Sequence, residues 1–168
     1  MLTNSLASTD VPIVHSGYAN YRRQLLKLGV KLYELNVNLT KENKKFRKGA
    51  AFYESKSSLH AKAMIIDRSV VFIGSLNLDP RSVVQNTEIG IVLESTEIAD
   101  SLSSFFDNII DSVAFRLELR TDDDGFEYIV WHGLEDGEKK VLLSEPHTSF
   151  WERFKMGFLR LMPGESQL

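Results

Sequence analysis

Residues 59–77 read LHAKAMIIDRSVVFIGSLN, two short apolar runs with a polar turn between them. Residues 59–66 have the length and alternation of a β-strand, and residues 70–73 form a continuous apolar run typical of a buried strand. The stretch therefore predicts two neighbouring strands of one sheet. The face of the first strand that we expect to pack in the interior consists of Leu59, Ala61, Ala63 and Ile65.

Polar residues stand at one end of both predicted strands. His60 and Lys62 are two residues apart, so on a strand their side chains point to the same face. An imidazole beside an ammonium suits an anionic group, because the imidazole can attack or transfer a proton while the ammonium neutralises phosphoryl oxygens. In the second run Gly74 permits close backbone approach, and Ser75 and Asn77 supply neutral donors. The pattern predicts a phosphate pocket at the end of a sheet.

The rest of the chain alternates helix and strand patterns, which predicts one compact domain over residues 1–168 with α/β organisation. A strand, a helix and a strand within the first 35 residues indicate a βαβ unit. The predicted elements are a helix over 16–28 ended by Gly29, strands over 30–35 and 88–93, a polar mobile loop over 36–50, a helix over 98–113, a hairpin of 115–119 with 126–131 around 122–125, and a helix from Ser149 to about Met162.

The composition excludes several classes of protein. The 168 residues are 43% hydrophobic and 26% charged, which suits one folded domain and excludes a disordered or fibrous chain. Because the sequence has no cysteine, disulfide scaffolds, thiolate zinc sites and cysteine nucleophiles are excluded. No apolar run approaches the ~20 residues of a membrane span, and we expect no secretory signal.

The net charge of −3 conceals an uneven distribution along the chain. Residues 1–62 hold 11 Lys/Arg against 4 Asp/Glu, whereas residues 63–168 hold 9 against 19. The basic part ends at Lys62, on the strand that carries the imidazole, and this placement fits an anionic phosphoester substrate. The basic segment KENKKFRK at 41–48 is equally explained as a solvated loop.

The spacing of these residues is that of a known signature. His60-x-Lys62-x4-Asp67-x6-Gly74-Ser75-x-Asn77 matches the signature of the phospholipase D superfamily at every fixed position. Softer similarity to the C-terminal half of bacterial cardiolipin synthase-like proteins is found in residues 4–5, 15–22, 25–30, 77–82 and 86–88. The resemblance implies a phospholipase D-like α/β domain with a mixed, mostly central β-sheet flanked by helices on both faces.

The resemblance also implies roles for individual residues. His60 would be one of two active-site histidines, acting as general acid/base. Lys62 and Asn77 would hold phosphate oxygens with Ser75 nearby, and Glu88 would orient the imidazole of His60. Asp67 belongs to the catalytic signature, although we expect its role to be mainly structural. The resemblance implies no metal ion and no other cofactor.

The implied reaction transfers a phosphatidyl group in two steps through a phosphohistidine. Such a site needs two histidine-lysine motifs, and this chain has one, because His15, His132 and His147 lack a lysine two residues later. We therefore favour a chain that is the second half of a two-motif enzyme. Its partner would be an N-terminal phospholipase D-like half or a second copy of itself, and its substrate phosphatidylglycerol or a related phospholipid.

Two other functions stay open. One is a single-motif phosphodiesterase or nuclease that acts as a homodimer, although nucleic acid is the less favoured substrate because residues 41–48 lack interleaved aromatic residues. The other is a non-catalytic half-domain that binds lipid or pairs with another domain. For a phospholipid enzyme we expect a peripheral location at the cytoplasmic face of the bacterial inner membrane, with the isolated domain soluble.

The C-terminal helix has two interpretations. It is rich in aromatic and basic residues, which is typical of a helix lying in a membrane interface. We favour the other interpretation, in which it packs on the sheet or against the other half of the enzyme. The residues concerned are Phe150, Trp151, Phe154, Phe158, Leu159 and Leu161 with Arg153, Lys155 and Arg160.

Overall fold

The computed structural model describes residues 1–9, 12–38, 62–75 and 89–159. The chain divides into two compact units, one of residues 1–59 with 111–164 and the other of residues 60–110 with 165–168. The predicted α/β class is confirmed, since helices accompany a sheet in which parallel and antiparallel strands are mixed. The extent of a single domain over residues 1–168 stays a prediction.

The elements are numbered in chain order. They are β1 (Leu2–Thr3), α1 (Pro12–Lys27), β2 (Tyr33–Leu35), β3 (Lys62–Ile66), β4 (Val70–Gly74), β5 (Gly90–Glu94), α2 (Thr96–Val113), β6 (Ala114–Thr121), β7 (Glu127–Glu135), β8 (Glu138–Leu142) and α3 (Phe150–Leu159). None of the helices within the described ranges is long and apolar enough to cross a membrane.

The first unit contains the predicted βαβ unit. Its sheet has the order β1-β2-β6-β7-β8, in which β1 and β2 are parallel and α1 connects them. Helix α1 begins one turn earlier than predicted, at Pro12, because proline is well suited to the first turn of a helix. It ends as predicted at Gly29, whose φ is +83°.

Strand β2 is shorter than predicted because the chain before it closes the last turn of α1. The amides of Gly29 and Val30 donate to the carbonyls of Leu26 and Leu25, each at 3.0 Å, which closes the last turn of α1. The pairing of β2 with β1 and β6 therefore begins only at Tyr33.

The predicted hairpin is confirmed and is longer than expected. Strands β6 and β7 pair from Arg116 with His132 to Thr121 with Glu127. Strand β8 was not predicted from the sequence, although Asp136-Gly137, with φ of 54° and 78°, supplies the left-handed conformations of a tight hairpin turn. The core of this unit is a buried cluster on the sheet, formed by Leu32, Phe115, Leu117 and Trp131.

A buried guanidinium joins the elements of the first unit. The side chain of Arg22 on α1 is 3% exposed, and its Nη2 lies 2.8 Å from Glu34 Oε1 on β2. Its Nη1 lies 2.5 Å from Oε1 of Glu145, in the segment before α3. The second oxygen of Glu34 accepts the indole N–H of Trp131 on β7 at 2.9 Å. One cation thus holds two carboxylates from distant parts of the chain.

Burial raises the pKa of two acidic groups of this cluster. Burial raises the pKa of the Glu34 carboxyl above its ordinary value, although Arg22 and the Trp131 N–H act to lower it. Burial also raises the pKa of the Tyr18 hydroxyl, whose ring lies 5.2 Å from the Arg22 guanidinium carbon. The Glu34 carboxylate therefore depends on its partners to be tolerated in the interior.

The second unit has an antiparallel sheet in the order β3-β4-β5, followed by α2. The predicted helix over 98–113 is confirmed and begins at Thr96, where Ser95 Oγ accepts the Ile98 N–H at 3.3 Å. The expected packing of Ala63 and Ile65 on an interior face is wrong, because Ala63 is exposed and Ile65 is only half-buried. Val71 on β4 is fully buried instead.

Replacing Arg22 tests whether the buried cluster holds the first unit together. Arg22→Leu leaves the Glu34 carboxylate in the interior without its counter-charge, and we expect the free energy of unfolding to fall by about 3–5 kcal/mol in urea titrations. The matched control is Arg23→Leu on the exposed side of the same helix, with an expected change within about 0.5 kcal/mol. Equal effects of the two substitutions would contradict the assignment.

Candidate active site

The register of the second sheet brings the signature residues to one edge. Lys62, the first residue of β3, is paired with Gly74, the last residue of β4, and Gly74 is paired with Gly90, the first residue of β5. Neighbouring strands are antiparallel, so one strand starts where the next one ends. Lys62, which is partly buried, therefore shares this edge with the Gly74-Ser75 turn.

Ser75 is fixed at this edge by three hydrogen bonds to one residue. Its amide donates to the carbonyl of Ile89 at 2.9 Å, and the Ile89 amide donates to Ser75 Oγ at 3.1 Å. The hydroxyl also donates to the Ile89 carbonyl at 3.3 Å. The turn after β4 is thus tied to the residue immediately before β5, and the exposed serine is held in a defined position.

Two glycines make this close approach possible. A Cβ added to Gly74 would lie 2.7 Å from the Ile89 carbonyl oxygen and 2.7 Å from Cζ of Phe72. A Cβ added to Gly90 would lie 2.6 Å from the same Cζ. The Phe72 ring thus occupies the space that side chains at both positions would need. Sequence reasoning identified Gly74 but missed Gly90 and Phe72; an isolated glycine inside an apolar run was the available signal.

Three of the predicted site residues, His60, Asn77 and Glu88, lie outside the described residues. The described residues beside them in sequence all lie at this edge: Lys62 is two residues after His60, Ser75 two before Asn77, and Ile89 directly after Glu88.

Asp67 is not brought to this edge. It lies in the turn at the other end of β3, about 16 Å along the strand from Lys62 at ~3.3 Å per residue. Asp67 and Arg68 both have left-handed backbone conformations, with φ of 49° and 50°, a conformation that aspartate tolerates better than most residues. This position supports the expected structural role of Asp67.

The same turn is tied to helix α2 by the residue after Asp67. The Arg68 guanidinium lies 2.8 Å from Asp100 Oδ1 and 2.6 Å from Asp107 Oδ2. The two side-chain bonds to α2 hold the far end of the β3–β4 hairpin, and so support the strand on which Lys62 stands.

The arrangement has the chemistry of an anion site. Lys62 supplies a positive charge and Ser75 a hydroxyl at one sheet edge, and both groups bind phosphoryl oxygens well. Within the described ranges, no three His, Asp or Glu side chains are grouped so that they could hold a metal ion. An α/β fold with this edge and the histidine-lysine signature is typical of the phospholipase D superfamily.

The family comparison agrees with this class. The family model described as cardiolipin synthase, phospholipase D-like domain matches residues 1–110. The chain belongs to this family, and the resemblance inferred from the signature is confirmed.

The chain is similar to several named relatives. It is 40% identical to "Cardiolipin synthase C" of Escherichia coli (strain K12), an alignment that covers 98% of this chain and 34% of that protein. It is 32% identical to "Cardiolipin synthase" of Geobacillus sp. (strain WCH70), over 58% of this chain and 16% of that protein. It is 41% identical to "Phospholipase D zeta 1" of Arabidopsis thaliana, over 28% of this chain and 4% of that protein. No solved structure matches the chain significantly.

The chain is much shorter than these relatives. Two relatives align with almost the whole chain, and the chain spans about a third of their length: 34% of one and 30% of the other.

The glycine pair at the edge can be tested by rescue. Gly90→Ala should lower the free energy of unfolding by about 1–3 kcal/mol, and Phe72→Leu in the same chain should restore at least half of the loss, because the three nearest atoms to the added Cβ belong to the Phe72 ring. Gly74→Ala should not be rescued, because the Ile89 carbonyl oxygen stays in place. Urea unfolding and hydrogen exchange of the Ser75 amide measure both effects.

The control for this experiment is Gly157→Ala on α3, where an added Cβ meets nothing within 4 Å. We expect this substitution to be neutral or stabilising, since alanine is the better helix former. Equal rescue of Gly74→Ala and Gly90→Ala by Phe72→Leu would show that the backbone approach at Ile89 is not the constraint.

Proposed function

We propose that this protein is a phosphatidyltransferase of the cardiolipin synthase type, which transfers a phosphatidyl group through a phosphohistidine. The observation that carries the proposal is the sheet edge at which Lys62 and Ser75 meet the residue that follows Glu88. Family membership supports the proposal, because the description of the matching family model names cardiolipin synthase.

The residues of the proposed site divide into those that move a proton and those that hold the phosphate. His60 is the general acid/base, and Glu88 accepts a hydrogen bond from its second ring nitrogen, which fixes the tautomer and raises the basicity of the reacting nitrogen. Lys62 and Asn77 hold the non-bridging phosphate oxygens, with the Ser75 hydroxyl beside them.

The proposed reaction has two steps. In the first, a ring nitrogen of the second active-site histidine attacks phosphorus and forms a P–N bond. The P–O bond to the leaving alcohol breaks, and that oxygen takes a proton from His60. In the second, the hydroxyl of an acceptor alcohol gives its proton to His60 as its oxygen attacks phosphorus, and the P–N bond breaks. The products are a new phosphodiester and the enzyme in its starting protonation state, so His60 acts once as acid and once as base.

The second histidine has to come from outside the single motif of this chain. We propose an N-terminal phospholipase D-like half of a longer protein, and a second copy of this chain is the other source. The chain spans only 34% of its E. coli relative, which supports the first source.

The proposed donor is phosphatidylglycerol or a related phospholipid, and the proposed location is peripheral, at the cytoplasmic face of a bacterial inner membrane. The excess of basic residues in the sequence up to Lys62 favours an anionic substrate. No cofactor takes part in the proposed steps.

The activity is tested on the protein expressed from the complete reading frame that encodes this chain. With vesicles that contain phosphatidylglycerol, we expect a new diphosphatidyl product, detected by mass spectrometry, and His60→Ala should reduce its rate at least about 100-fold. The matched control is His132→Ala on β7, whose Nε2 lies 2.5 Å from Glu118 Oε2, and we expect it to retain activity. Absence of a phospholipid product from the unsubstituted protein would refute the proposal.

The role of His60 as acid rather than nucleophile is tested by the leaving group. A p-nitrophenyl phosphodiester needs no proton on its leaving oxygen, so His60→Ala should still release a burst of about one p-nitrophenolate per site and then stall. Loss of the burst together with turnover would instead assign the nucleophile to His60.

Hydrolysis of DNA by a homodimer without any phospholipid product would favour the single-motif nuclease.

A further inference from the structure

Three aromatic side chains at the start of α3 are exposed together. Phe150, Trp151 and Phe154 are 65%, 68% and 60% exposed, and we call these three residues the aromatic surface. Their ring centroids are 5.8 to 6.3 Å apart, so the rings contact one another and form one continuous patch. These three side chains therefore do not pack on the sheet, whereas packing against the other half of the enzyme stays a prediction.

The helix start that carries the aromatic surface is held in place by side-chain hydrogen bonds. Ser149 and Glu152 form the predicted capping box, in which the Ser149 amide donates to Glu152 Oε2 at 2.6 Å and the Glu152 amide donates to Ser149 Oγ at 3.2 Å. Arg153 Nη1 donates to the Thr148 carbonyl at 2.6 Å. The rings are thus presented by an ordered helix start, so no folding has to accompany binding.

The same helix start is connected to the interior of the first unit. Thr148 Oγ1 donates to the carbonyl of Glu145 at 2.7 Å, and Glu145 binds the buried Arg22. The helix start that carries the aromatic surface is therefore connected to the buried ion pairs of Arg22.

Basic residues outnumber acidic ones in the helix segment that carries the aromatic surface. Arg153 is half-buried and Lys155 is exposed on the same helix, and the sequence continues with Arg160. The acidic residue in this segment, Glu152, has its carboxylate turned to the Ser149 amide, and that hydrogen bond lowers the pKa of the carboxyl. Residues 150–160 therefore carry three basic groups against one acid, which complements an anionic surface.

The size of the aromatic surface favours lipid over protein. Three side chains with these exposures offer roughly 400 Å², whereas a stable protein interface needs about 800 Å² from each partner. Tryptophan and phenylalanine next to basic side chains are instead the composition of a helix that rests in a membrane interface.

We propose that the aromatic surface docks the protein onto an anionic phospholipid bilayer, with the three rings at the boundary between headgroups and acyl chains. Lys155, which is exposed on the same helix, lies among the lipid phosphates. This inference rests on the proposed function in one respect, namely that the substrate is a lipid in that bilayer.

The experiment measures binding of the full-length protein to phosphatidylcholine vesicles with and without phosphatidylglycerol. We expect co-sedimentation with the anionic vesicles, at least about tenfold weaker for the triple variant Phe150→Ser/Trp151→Ser/Phe154→Ser and about fivefold weaker for Lys155→Ala. The matched control is Phe126→Ser, which removes an equally exposed aromatic (64%) from the β6–β7 turn and should leave binding unchanged. Equal loss in the Phe126 variant, or full binding by the triple variant, would overturn the proposal.

Fluorescence gives a readout that needs no disruptive substitution. Trp151 is exposed and Trp131 is 5% exposed, so brominated lipid should quench Trp151 and leave Trp131 unaffected. Trp151→Phe should abolish the quenching and keep vesicle binding. Absence of quenching in the unsubstituted protein, or a change of oligomeric state in the triple variant without a change in vesicle binding, would assign the aromatic surface to a protein partner and overturn the proposal.

Turnover separates this proposal from the proposed function. The triple variant should keep its rate on a short-chain, water-soluble phosphatidylglycerol and lose it on vesicles. If the unsubstituted protein processes neither substrate, the proposed function fails, while the vesicle-binding comparison still decides the docking surface.

Discussion

The first unit depends on one buried cation. Arg22 is fully enclosed, and the carboxylates that neutralise it come from β2 and from the segment before α3, with the Trp131 indole as a further partner of Glu34. A buried guanidinium is tolerated only when its counter-charges are held in place, so the helix, the sheet and the C-terminal segment have to assemble in one geometry. Burial of the apolar cluster around Phe115 stabilises the unit, and the ion pairs of Arg22 restrict the geometry in which that cluster can pack.

Much of the fold was predictable because its signals are local. Gly29 ends α1 through hydrogen bonds between near neighbours, the capping box Ser149/Glu152 starts α3, and the residues around Asp122 form the predicted hairpin turn. What sequence reasoning missed depends on contacts distant in sequence. Glu34 belongs to a strand predicted over 30–35, but its burial is explained by its 2.8 Å contact with Arg22 and by the Trp131 N–H, which are distant in sequence. The missed strand β8 is the exception, since Asp136-Gly137 was a usable local signal.

The candidate site shows the same division. The signature identified Lys62, Gly74 and Ser75 directly, and the structure adds that they share an edge with Ile89 because of strand register. Register is a pairing property, so no single stretch of sequence contains it. For the same reason the obstruction of Gly90 by the Phe72 ring was not foreseen, because these residues are 18 positions apart. The roles of His60, Asn77 and Glu88 stay predictions from the resemblance.

The β3–β4 hairpin gives the spacing of the signature a geometric meaning. The chain leaves Lys62, reaches the turn at Asp67 after one strand, and returns to Gly74, which is paired with Lys62. The fixed numbers of intervening residues thus correspond to the lengths of the two strands and the turn of a single hairpin. Inserting one residue in either strand would turn every later side chain of that strand to the opposite face and separate the lysine from its glycine partner. The signature therefore specifies the length of the hairpin as well as its reactive groups. The hairpin should tolerate a substitution within the signature more readily than an insertion or a deletion.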